Sequence, residues 1–131
     1  MQYILRTTGS VPQAVERLAT ALAKRKFGVL HVHDLNKTLN SKGVPFEPDC
    51  QVLEVCNPQQ AAKVLSNDMN LNMALPCRIS VYENDGQTCI GMISPGEMLR
   101  SLSDSPELAE VADEVESVLK DAIEEAADQA N

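Results

Sequence analysis

Six side chains in this sequence suit thiol or metal chemistry: Cys50, Cys56, Cys77, Cys89, His31 and His33. Cys56 ends a β-prone run and stands directly before Asn57-Pro58, a helix-opening pair. Free N–H groups and the positive end of a helix dipole favour a thiolate at such a place. Cys77 opens the next β-prone run, after Pro76. If the two runs are antiparallel neighbours, the end of one lies beside the start of the other, and the two sulfurs come close. Such a pair could cycle between dithiol and disulfide, hold a soft metal or carry a sulfur adduct. The plainer alternative is two small buried hydrophobes, a common state of free cysteine.

His31 and His33 are two positions apart on a run of strand type, so both imidazoles share one face, about 6–7 Å apart at Cα. Two histidines so placed are a recurrent half of a zinc or copper site. Cys50, Cys56 or Glu54 could supply a third ligand, and His31, His33 and Cys50 are taken as the candidate metal set. The alternative is a polar sheet face. Glu54 and Glu83 could pair as carboxylates, although solvation or a salt bridge to Arg78 is the commoner use of strand-face charge. The sequence carries no Cys-x-x-Cys, zinc-ribbon pair, phosphate-binding glycine loop or Gly-x-Ser-x-Gly elbow.

The elements that must position these residues follow from periodicity and punctuation. Tyr3 to Thr8 is a short strand ended by Gly9. Ser10 and Gln13 form a capping box for a helix whose apolar stripe is Val11, Val15, Leu18 and Leu22, stopping at Phe27-Gly28. A strand is expected from Val29 to Leu35, with Val29, His31 and His33 on one face. A polar connection follows over Asn36–Asp49, then a strand from Gln51 to Val55 and a short helix from Pro58. Arg78–Glu83 and Thr88–Ile93 flank Asp85-Gly86 and read as a hairpin. Caps at Ser94 and Ser105 open two further helices. The last carries the stripe Leu108, Val111, Ala112, Val115, Leu119, Ala122, Ile123 and Ala126. The expected fold class is therefore α+β: a single, mainly antiparallel sheet of about five strands with helices packed on one face, plus an acidic C-terminal helix. Residues 1–105 form the expected domain and 106–131 the helical arm.

The formal net charge of −8 resides wholly in that arm, because from Pro106 onward nine acids face the single base Lys120. The remainder sums to zero, and no basic stripe offers itself to phosphates, so nucleic acid is not an expected partner. No apolar run approaches the roughly 20 residues needed to cross a bilayer, and Met1–Arg6 lacks the features of a secretory leader. A cytoplasmic location with reduced thiols is expected.

The motifs Phe27-Gly28-Val29-Leu30 with Asp34, Cys56-Asn57-Pro58, Leu75-Pro76-Cys77 and Val81-Tyr82-Glu83 together resemble the domain of unknown function 302 family, over roughly Leu5 to Leu102. The resemblance implies a small TATA-binding-protein-like α+β domain, often dimeric, with no established activity. His31 and His33 stand where Thr and Ile are expected, and the helix after Ser105 reads as an addition. The expectation is a homodimeric binding or accessory protein holding a metal, a sulfur species or a small molecule through Cys56 and Cys77. Two alternatives stay open. One is a thiol-disulfide or sulfur-transfer enzyme with Cys56 as nucleophile and Cys77 resolving. The other is an interaction module whose C-terminal helix contacts a protein partner or a second copy. No particular cofactor follows from these residues.

Overall fold

The computed structural model describes residues 1–128; positions 129–131, the end of the expected arm, lie outside the described residues. Five strands, β1 (Gln2–Thr7), β2 (Gly28–Asp34), β3 (Cys50–Cys56), β4 (Cys77–Asn84) and β5 (Gln87–Ile93), form one open sheet in the order β1-β5-β4-β3-β2. Every neighbouring pair is antiparallel. The helices are α1 (Val11–Ala23), α2 (Leu35–Ser41), α3 (Pro58–Asn67), α4 (Pro95–Leu102) and α5 (Pro106–Asp128), with a 3-10 turn at Met69–Ala74. This is the α+β architecture expected from the sequence. No helix among the described residues is long and apolar enough to cross a membrane.

β1 and β2 lie at opposite edges of the sheet, so α1, which joins them, must cross its whole width. Its Ala14, Leu18, Ala21 and Leu22 are buried there against Leu53, Val55, Ile79, Val81 and Ile90 of the strands. The capping box is formed: Gln13 N donates to Ser10 Oγ and Ser10 N donates to Gln13 Oε1. The exit differs from expectation. Lys26, not Gly28, takes the left-handed conformation (φ 65°), which lets Phe27 N donate to Leu22 O and brings Phe27 into the core. The β4–β5 turn is as expected, with Asp85 (φ 53°) and Gly86 (φ 75°) both left-handed, the combination that matches the twist of a tight hairpin.

α5 lies beside α1 on the same face. Val115, Leu119, Ala122, Ile123 and Ala126 belong to the main core, while Leu108 and Ala112 join Val64, Leu71 and Leu99 in a second, smaller cluster. The boundary expected at residue 105 falls in the link before α5, but both sides share one core. The apolar stripe that invited a partner is thus covered by the chain itself. The polar connection after β2 also gains structure: Asp34 caps α2 by accepting from Lys37 N, and Asn36 and Asn40 hold the carbonyls of residues 46–48. Without an apolar period, and with none of its residues buried, α2 had no helical signature in the sequence.

A part-buried polar junction joins α4 to α5. Ser94 Oγ accepts from Glu97 N as the α4 cap and donates to Glu116, which also accepts from Gly96 N at 3.0 Å. Burial pushes the Glu116 carboxyl up, but hydrogen bonds from Ser94, Lys120 and Gly96 outweigh it, and the pKa lies below the ordinary 4.5. Ser94→Ala should therefore destabilise the fold by about 1–2 kcal/mol in urea unfolding at neutral pH. A depressed carboxylate stabilises above its unfolded pKa and stops doing so as it protonates, so the penalty should shrink as pH falls through the carboxylate range.

Candidate functional site

The β3–β4 register decides where the thiols go. Val55 lies opposite Cys77, which sets Cys56 one residue beyond that pair, next to the Leu75-Pro76 turn. Strand alternation gives Cys56 the face of Glu54, and gives Cys77 the helix-covered face of Ile79 and Val81, where it packs on the main core. The residues are neighbours, as expected from the sequence, but the pleat directs their side chains to opposite faces. Asn57 caps α3 with its Oδ1, which takes the N–H groups of Gln59 (3.1 Å) and Gln60 (3.2 Å). Those are two of the donors that were expected to favour a thiolate at Cys56. Burial, with the nearby Cys56 adding to it, pushes the Cys77 thiol from 9.0 up to about 11, so it is protonated at neutral pH.

Leu75, Pro76, Cys77 and Leu99 form a wall shared by two cavities. One, of about 200 Å³, lies over the ends of β3 and β4 and is closed by Ala61, Val64 and Leu65 of α3, Phe27, and Val115 of α5. Cys56 lines it as well, so both candidate thiol residues border this space. Its lining is almost wholly apolar. Gln60, also in its wall, donates from Nε2 to Glu114 Oε1 at 3.0 Å, while its buried Oε1 has no partner among the described residues. The other cavity, of about 240 Å³, is bounded by Val52, Met73, Arg78, Ser80, Ile93 and Met98. Leu99 comes from α4, Val115 from α5 and Phe27 from the link between α1 and β2, and no local motif marked them as wall residues.

The histidines occupy the opposite side of the sheet from the core. A bulge at Leu30 shifts the register between Val29 and His31. Val29 consequently turns to the core opposite Val55, separating it from the face it was expected to share with the histidines, and Leu30 is left 62% exposed. His31 lies opposite Glu54 and His33 opposite Val52. The two imidazoles meet edge to face with centroids 4.4 Å apart. His33 Nε2 is 3.4 Å from Glu54 Oε2, and Arg78 approaches the same oxygen at 3.7 Å. Glu83 instead accepts from Asp49 N, so it forms no pair with Glu54.

Cys50 lies at the start of β3, two residues beyond the Val52 that His33 opposes, and pairs across with Tyr82. Its thiol is shifted upward by burial and by Asp34. Among the described residues no group of three His, Cys, Asp or Glu side chains is placed to hold a metal ion, so the set His31, His33 and Cys50 is not assembled as one. Cys89 is buried, and all four cysteines are free.

None of the curated proteins matches this chain. Among solved structures, the crystal structure of an uncharacterized conserved DUF302 protein from Bacillus stearothermophilus superposes with a TM-score of 0.90 at 33% identity, covering 95% of this chain and 97% of the other. The family model described as "Domain of unknown function DUF302" matches residues 3–126, well past Leu102 and through most of α5, so the acidic helix is part of the shared domain and not an appendage. The chain belongs to the DUF302 family.

Proposed function

We propose that this protein binds a small, predominantly apolar molecule against the Leu75-Pro76-Cys77 wall. The observation that carries this reading is that one short segment lines two cavities, of about 200 and 240 Å³, at the end of a rigid sheet. Pockets for small molecules are concave and mostly apolar, with few polar groups. A cavity near 150 Å³ is enough for benzene, so these larger spaces would each take a molecule of one or two small rings. Cys77 enters as a neutral, polarisable contact, and Cys56 borders the same space. Four free cysteines suit a reducing compartment such as the cytoplasm.

A disulfide cycle between Cys56 and Cys77 has less support. The pleat turns the two side chains apart, and a thiol raised to about 11 is a poor attacking group near neutral pH.

Indole is a suitable probe, followed by ligand-observed NMR with toluene as competitor. Saturable binding displaced by toluene is expected. Ala61→Phe, which fills the cavity beneath α3, or Ser80→Phe, which fills the other, should weaken it about tenfold, and the sensitive variant identifies the occupied space. No binding, or binding indifferent to both variants, would sink the proposal.

The Cys77 environment makes a separate prediction. Its folded pKa lies above its unfolded value, so its contribution to stability is complete below about pH 9 and lost as pH rises towards 11. Unfolding free energy should fall across that window by on the order of 2 kcal/mol. Cys77→Ala should flatten this part of the profile, measured as the difference between the two proteins at each pH.

A further inference from the structure

We propose that His31 and His33 form a two-imidazole site for a borderline divalent cation (Ni²⁺, Cu²⁺ or Zn²⁺), with water in the remaining positions and Glu54 as a positioning residue. The histidines line neither cavity, although Arg78 borders the one of about 240 Å³, and the site does not rest on the small-molecule reading.

The backbone builds it. Bulges re-aim side chains, and the one at Leu30 gives the hydrophobic position to Val29 while placing both imidazoles on the uncovered face. The rings are already in contact, with centroids 4.4 Å apart and planes inclined by 69°. Two nitrogens held at 2.0–2.1 Å from one cation are about 3 Å apart, a separation that rings this close reach by side-chain rotation alone. Imidazole is a preferred donor for these ions, with affinity rising from Ni²⁺ to Cu²⁺ and falling again at Zn²⁺.

The surroundings supply the outer carboxylate usual at such sites. Metal-bound histidines are commonly oriented by a neighbouring carboxylate, and Glu54 Oε2 is 3.4 Å from His33 Nε2. That leaves Nδ1 of His33 as the lone-pair donor. With the His33 side chain 43% exposed, water can reach the remaining coordination positions. Arg78 opposes the cation: it lies 3.7 Å from Glu54 with its side chain 64% exposed, adding positive charge beside the site. Cys50 has no part, because no third protein ligand is placed with the histidines among the described residues.

The test is calorimetric titration of the full, untagged chain with Ni²⁺, chosen because Cu²⁺ oxidises free thiols. One saturable equivalent is expected. His31→Ala and His33→Ala should each weaken binding by about tenfold or more, and Glu54→Gln by about tenfold. Arg78→Gln should tighten it a few-fold at low ionic strength, a gain that disappears in high salt. Cys50→Ser should match wild type. These positions lie on the uncovered face, so unchanged thermal unfolding of each variant checks that the fold is intact. Absence of saturable binding in wild type, its survival in a His31→Ala/His33→Ala double variant, or its loss in Cys50→Ser would overturn the proposal.

Discussion

The pairing of β3 with β4 is the constraint on which the rest of the molecule depends. Val55 opposite Cys77 and Leu53 opposite Ile79 put four apolar side chains on the helix-covered face and leave Glu54 and Arg78 paired on the other. A slip by one residue would reverse the assignments of the strand that moved, burying Glu54 and exposing Leu53 if β3 shifted, or burying Arg78 and exposing Ile79 if β4 shifted. Because α3 begins two residues after β3 ends, the same register places the α3 cap, the Leu75-Pro76 turn and both thiol residues at one end of the sheet. The cavities there are a consequence of that register together with the short connection through α3 and the 3-10 turn.

Two helices remote in sequence cover the sheet. α1 must cross from edge to edge because β1 and β2 are the outermost strands, and α5 fills the space beside it. The apolar half of α5 is thereby buried and its acids point outward or find bases. Glu125 meets Lys24 and Arg25, Glu116 meets Lys120, and Asp113 meets Arg100. Such exposed pairs contribute little each. The Ser94–Glu116–Gly96 junction differs because Ser94 and Gly96 are buried and the half-buried Glu116 is hydrogen-bonded to both, fixing α4 against α5. That contact also brings Leu99 of α4 to the wall shared by the two cavities.

The two faces of the sheet therefore carry different chemistry. Beneath the helices a protonated thiol and aliphatic side chains make an environment for apolar contact. On the uncovered face His31, His33, Glu54 and Arg78 make a compact polar cluster in which one carboxylate oxygen is shared by an imidazole and a guanidinium. The bulge at Leu30 links the faces, since it lets β2 contribute Val29 to one and both histidines to the other.

Local punctuation and periodicity were enough to determine the five strands, the hairpin at Asp85-Gly86, the capping box at Ser10 and the stripe of α5, since each is encoded by residues within one or two turns of each other. They were also enough to bring Cys56 near Cys77, because antiparallel neighbours must join end to start. Helix α2 left no trace in the sequence because its polar residues stabilise it by caps and side-chain bonds to a loop, without an apolar face. The orientation of the thiols depended on pleat parity, and the face of Val29 on a one-residue bulge, neither of which composition encodes. Only the tertiary structure decided that α5 closes its own core and that Leu99, Val115 and Phe27 converge on the cavities. Those contacts join segments far apart in the chain, and they exist only once the sheet has given each helix a place to pack.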